Sequence, residues 1–180
     1  MVCQTNRLLP YKRYICCKYY NVETDLCESD NYITLYFNRD VSYSGGFKFD
    51  YRNDVRERIS FIIYDNLVHE RYSPMNVRAY SKVEIYFNNP VESVYDFFNA
   101  AHDNNMLYLV SIDLSHFDAS LVYSFSEMFY YCRSLISIDF SNFNTSSATD
   151  MSQMFQDCTA LVSLDLSSFD TRKLYIFNVL

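Results

Sequence analysis

Hydrophobic and polar positions in the second half of the chain recur every 26 residues. Leu109 opens LVSIDLSHFDASLVYSFSEMFYYCRS, Leu135 opens LISIDFSNFNTSSATDMSQMFQDCTA, and Leu161 opens LVSLDLSSFDT. The two complete units share 11 of 26 positions without a gap, so the recurrence is a structural repeat. The period changes within each unit. Val110, Ile112 and Leu114 alternate with Ser111, Asp113 and Ser115, which is the period of a half-buried strand. Phe125, Met128, Phe129 and Cys132 then fall at i, i+3, i+4 and i+7, as do Met151, Met154, Phe155 and Cys158. That spacing predicts one apolar stripe on a short helix. Ser124 with Glu127, and Asp150 with Gln153, have the spacing of a capping box at its start. A strand and a short helix cannot bury their apolar faces alone, so the units are expected to stack into a continuous core.

The strand ending also reads upstream, in Ile85-Tyr86-Phe87-Asn88, Ile62-Ile63-Tyr64-Asp65 and Leu35-Tyr36-Phe37-Asn38. The second core positions are then 37, 64, 87, 114, 140 and 166, separated by 27, 23, 27, 26 and 26 residues. Two readings stand side by side: up to six turns of one coil, or a separate β-rich cap preceding the regular repeats. Tyr95-Asp96-Phe97-Phe98 reads as a degenerate helix of the Phe87 turn, followed by a surface bulge around residues 101–105. The expected domains are residues 1–80, a β-rich N-terminal cap or degenerate repeats, and residues 81–180, a solenoid of units 83–108, 109–134, 135–160 and 161–180.

The repeated units LVSIDLSHFDAS…EMFYYC, LISIDFSNFNTSSATDMSQMFQDC and LVSLDLSSFDT closely resemble the BspA-like, mycoplasma-lipoprotein-type leucine-rich repeats of microbial surface proteins. The resemblance covers residues 109–171 well and residues 83–108 weakly. It implies a leucine-rich-repeat-like solenoid, and the fold class expected is α/β, ~26-residue strand–helix units with a β-rich N-terminal cap. It also implies a cell-surface or secreted location, with adhesion or protein binding as the usual use. The final unit departs from the motif after Thr171, turning into RKLYIFNVL.

Composition narrows the chemistry. Of 180 residues, 49% are apolar and 21% charged, a globular balance. With 15 Lys+Arg against 22 Asp+Glu the net charge is −7, which argues against nonspecific binding to nucleic acid or anionic membrane. The two glycines, Gly45 and Gly46, are adjacent, so neither a dinucleotide fingerprint, nor a phosphate loop, nor a nucleophile elbow can be built. No run approaches the ~18 apolar residues of a membrane-spanning helix. The N-terminus lacks the apolar segment of a secretory signal, so the chain is expected either to stay inside the cell or to take an export signal lying outside this sequence.

Candidate contact residues follow from the outward strand positions. Asp113, Asp139 and Asp165 form one row, continued upstream by Tyr86, Ile63 and Tyr36 if the register holds. Ser111, Ser137 and Ser163 flank it on one side, and Ser115, Ser141 and Ser167 on the other. Carboxylates on strands ~4.8 Å apart repel unless hydrogen-bonded or neutralised. The row is therefore either a hydroxyl-satisfied solvent face or an acidic ladder for a basic partner or divalent cation. The partner surface expected is Tyr86, Ser111, Asp113, Ser137, Asp139, Ser163 and Asp165, facing a protein or glycan. A structural alternative is self-association through the C-terminal coil, with Ile176 and Phe177 in the seam. Cys132 and Cys158 are expected as buried thiols, a stacked disulfide being the alternative. Cys3, Cys16, Cys17 and Cys27 lack zinc spacing, and either free thiols or a disulfide-tied cap fit them. His69, His102 and His116 are scattered. No catalytic, cofactor or metal constellation is read, and an enzyme is not expected.

Overall fold

The computed structural model describes residues 2–5, 14–17, 19–21, 26–28, 31–44, 59–69, 74–87 and 90–175. Its strands are β1 (Val2–Thr5), β2 (Tyr14–Cys17), β3 (Tyr19–Asn21), β4 (Leu26–Glu28), β5 (Tyr32–Phe37), β6 (Val41–Tyr43), β7 (Ile59–Tyr64), β8 (Leu67–His69), β9 (Met75–Val77), β10 (Lys82–Phe87), β11 (Leu109–Asp113) and β12 (Ser137–Asp139). Alternation builds the central sheet. Ile33, Leu35 and Phe37 of β5, and Val83, Ile85 and Phe87 of β10, are buried on one face, while the residues between them turn the other way. Six strands join in the order β12-β11-β5-β10-β7-β8. β11 and β12 are parallel, and the remaining neighbours are antiparallel. Asp65 and Asn66 close the β7–β8 hairpin at φ 54° and 58°, the hand that a two-residue hairpin requires. β1–β2, β3–β4 and β6–β9 are two-stranded antiparallel ribbons. β5, β7 and β10 carry Phe37, Tyr64 and Phe87 on antiparallel strands, so these are not successive turns of one coil.

The strand–helix solenoid is overturned as well. Among the described residues there is no α-helix, and the one helical element is a 3-10 turn at Asn104–Tyr108. The stretch expected as a helix, residues 125–132, is a tandem of tight turns. The N–H groups of Met128, Tyr130 and Cys132 donate to the carbonyls of Phe125, Glu127 and Phe129, three residues back. The intervening N–H groups, of Phe125, Glu127, Phe129 and Tyr131, leave the repeat. They donate at 2.8–3.0 Å to the carbonyls of Asp150, Ser152, Met154 and Gln156 in the next unit. In an α-helix every N–H would bond four residues back within its own segment. The preceding layer follows the same rule, with Val94, Asp96, Phe98 and Ala100 donating to Ser124, Ser126, Met128 and Tyr130.

A left-handed residue every fourth position makes these turns. Glu127 and Tyr131 have φ 55° and 62°, and so do Gln153 and Asp157 one unit later. Two inward side chains per four residues fall at i, i+3, i+4 and i+7, so the turn tandem copies the apolar spacing of a helix. Its core is correspondingly regular. Phe98, Phe129 and Phe155 stack face to face, with centroids 5.7 and 5.6 Å apart and rings within 6° and 4° of parallel. Met128 and Met154 are fully buried beside them. Ser124 and Asp150 do not cap helices. Ser124 forms parallel bridges with both Ser93 and Asp150, and Asp150 Oδ1 accepts from the Ser152 N–H at 2.9 Å and hydroxyl at 2.7 Å. The Glu127 carboxylate accepts from Asn99 Nδ2 of the preceding layer, and the Gln153 amide donates to Gln156.

Two smaller departures come from the sheet. The β11–β5 register slips between Leu109 and Ser111. Val110 is the extra residue, so Leu109, not Val110, fills the core together with Ile112 and Leu114. The third unit, residues 161–166, forms no strand.

Candidate functional site

The polar face of the six-stranded sheet gathers the outward positions into rows fixed by pairing register. One row runs Ile63–Glu84–Thr34–Asp113–Asp139. A second runs Lys82–Tyr36–Ser111–Ser137, and a third Phe61–Tyr86–Tyr32. Directly paired residues point to the same side of a sheet, so Tyr86, Ser111, Asp113, Ser137 and Asp139 share one face. Tyr86, Ile63 and Tyr36, read from sequence as one upstream row, fall in three different rows. Sequence reading missed Lys82, Glu84, Tyr32 and Thr34. Their signal was the plain alternation in KVEIYF and YITLYF, obscured by aligning those segments to the repeat.

Exposure grades across this face. At one end Tyr86 is sandwiched between Tyr32 and Phe61, at centroid distances of 5.1 and 4.7 Å. His116 stacks on Tyr32 at 4.5 Å. At the other end Ser137 and Asp139 are exposed, as are Ser163 and Asp165 one layer further on. That last layer is anchored by Phe169, which packs on Phe140 and Phe143 at 5.0 and 5.8 Å. The Ser111 and Ser137 hydroxyls meet at 3.0 Å.

Each carboxylate of the row is held by its own turn. Asp113, Asp139 and Asp165 accept the N–H groups of Ser115, Ser141 and Ser167 at 2.8, 2.8 and 2.9 Å. Ser141 holds the Asp139 carboxyl below the usual carboxylate range, first through its hydroxyl and then through its N–H, with His116 assisting. Ser167 does the same for Asp165. The Arg172 guanidinium grips Asp170 through Nε and Nη2 and lowers it to about 2. All three groups have lowered values in the folded chain, so the stability they add is present above the unfolded carboxylate value of ~3.9 and is lost as pH falls through the folded values. Unfolding followed by urea is therefore expected to hold steady from neutral pH to about 4 and weaken below it. Asp170→Asn should reduce that acid sensitivity.

The other sequence candidates sit elsewhere. Cys132 and Cys158 are free and buried, their thiols donating to the carbonyls of Phe98 and Phe129 at 3.1 and 3.0 Å. Burial pushes Cys132 well up and Cys158 to about 12. Cys3 lies opposite Cys16 in the β1–β2 register, and Cys17 and Cys27 are in β2 and β4, but the side chains of all four lie outside the described residues. Ile176 and Phe177 also lie outside them. His102 Nδ1 is 2.9 Å from the buried carboxylate of Asp96. Among the described residues no group of three or more His, Cys, Asp or Glu is placed to hold a metal, and no helix is long and apolar enough to cross a membrane.

Residues 92–179 match the family described as Mycoplasma protein of unknown function, DUF285. The match spans the turn-stacked layers and leaves out β1 to β10. It agrees with the mycoplasma-type resemblance of the repeats and does not confirm a leucine-rich-repeat architecture. Comparison with curated proteins and with solved structures finds no match.

Proposed function

We propose that this chain is a noncatalytic binding module of microbial surface-protein type. It presents the polar face of its mixed sheet at Ser111, Asp113, Ser137 and Asp139, with Ser163 and Asp165 exposed in the layer beyond, to a basic protein segment. The observation that carries the reading is the register that sets Asp113 directly beside Asp139, each carboxylate pinned by the N–H of its own serine turn. The cation on these rows, Lys82, is already paired with Glu84. A lysine- or arginine-bearing segment laid across the strands would relieve the mutual repulsion of the row while meeting hydroxyls already in place.

The test is fluorescence anisotropy with a labelled lysine-rich peptide against the native chain and the double variant Asp113→Asn, Asp139→Asn. Asparagine keeps the turn acceptor, so folding should be preserved. Affinity is expected to fall about threefold to tenfold, with weaker salt dependence. Equal binding by both proteins, or by neither, contradicts the proposal.

Self-association is a second reading, favoured by Val162, which is 89% exposed next to half-buried Leu161 and Leu164. Sedimentation velocity separates the two, since a module stays monomeric while a stacking protein grows with concentration.

A further inference from the structure

We propose that the cleft between the β7–β8 hairpin and the β6–β9 ribbon binds a neutral sugar ring. The cleft has a volume of about 490 Å³, within the range of ~300–1000 Å³ typical of small-molecule sites. Its lining is two-sided. Tyr64, Leu67 and Met75 supply an apolar wall, and Leu67 is 61% exposed at the rim. The Tyr64 hydroxyl accepts the Arg78 N–H at 2.9 Å, which fixes its ring as part of that wall. Ser42 and Asn76 face each other across β6 and β9, and the Ser42 hydroxyl donates to Asn76 Oδ1 at 2.7 Å. This sets the amide orientation and leaves the Asn76 Nδ2 protons to donate outward. Asp65, held at the rim by the left-handed hairpin turn, supplies acceptors.

His69 adds a polar atom that the described residues leave unused. Its Nε2 is buried in the cleft wall and has no hydrogen-bond partner among the described residues. A modest turn of the imidazole offers that nitrogen to a ligand hydroxyl, and unmet buried polar atoms of this kind are rare enough to need a reason.

The charge pattern selects the ligand class. Among the described residues no lysine or arginine lines the cleft, so a phosphate or carboxylate would find no counter-charge from them. A pyranose has the matching two-sidedness, a C–H face for the apolar wall and a hydroxyl edge for Asn76, Asp65 and His69.

Saturation-transfer NMR on the full chain tests this with glucose, galactose and N-acetylglucosamine at millimolar concentration, beside choline and inorganic phosphate. At least one sugar is expected to be saturated, with affinity reduced at least about tenfold by Asn76→Ala. Exposed Leu67→Ser should also weaken it, and thermal melts report that both variants are folded. Asp139→Asn, on the sheet face, should leave sugar binding unchanged, which separates this site from the binding face proposed above. Saturation of none of the sugars, saturation of choline or phosphate instead, or sugar signals indifferent to Asn76→Ala would each overturn the proposal.

Discussion

Replacing Phe129 by alanine is expected to cost about 3–5 kcal/mol, a large share of the ~5–15 kcal/mol that holds a domain folded. Phe129 is fully buried, and its ring lies parallel between Phe98 and Phe155. Its backbone belongs to the same seam. The N–H donates to the Met154 carbonyl, and its own carbonyl accepts both the Cys132 N–H and the Cys158 thiol. Truncation would leave a cavity facing two layers at once, and rings already stacked on either side have little freedom to collapse into it. Urea unfolding should show the midpoint displaced with the slope unchanged, as for a pure loss of packing. A loss under about 1 kcal/mol would mean that the layers do not share a core.

The second large effect concerns the backbone. Glu127→Pro is expected to destabilise by about 3 kcal/mol or more, for two reasons that add. Proline removes the N–H that donates to the Ser152 carbonyl at 2.9 Å. It also fixes φ near −65°, whereas Glu127 sits at φ 55°. At the third position of a helix, where the capping-box spacing puts Glu127, proline would cost only the capping bond to Ser124, about 0.5–2 kcal/mol. The same urea experiment therefore separates the two structures: a modest loss would fit a first helical turn, and a loss of about 3 kcal/mol or more fits the turn tandem.

The repeat itself was plain in the sequence, because identical residues at a fixed spacing require no knowledge of the backbone. The core positions were plain too: Phe125, Met128, Phe129, Cys132 and their partners one unit later are all buried. What could not be read was the backbone that places them there. A helix and a tandem of left-handed turns give the same i, i+3, i+4, i+7 pattern, and only hydrogen bonds between units distinguish them. Composition held a hint, since Ser126, Tyr130, Tyr131 and Asp157 are weak helix formers at positions where a helix would favour alanine, leucine or lysine. The chain spends left-handed geometry on Glu, Gln, Tyr and Asp rather than glycine, which removed the usual signal of a turn.

The candidate face was legible in part. The serine–aspartate rows follow from alternation within one unit, and β11 and β12 set them side by side in register. Lys82, Glu84 and Tyr32 come from antiparallel strands with no repeat to align them, so their neighbours depend on tertiary pairing alone. The β-bulge at Val110 was equally hidden, because one inserted residue shifts which side chain faces inward without altering the local pattern.

Asp157→Gly tests the turn-stacked architecture most directly. Asp157 occupies a left-handed position at φ 62°, where most residues with a Cβ cost about 1–2 kcal/mol, Asp somewhat less, and glycine costs nothing sterically. Glycine returns about 0.5–1 kcal/mol of that as unfolded-state entropy. Thermal unfolding of the full chain should therefore show a midpoint unchanged or raised. A fall equivalent to about 1 kcal/mol, the ordinary penalty for glycine inside a helix, would contradict the account.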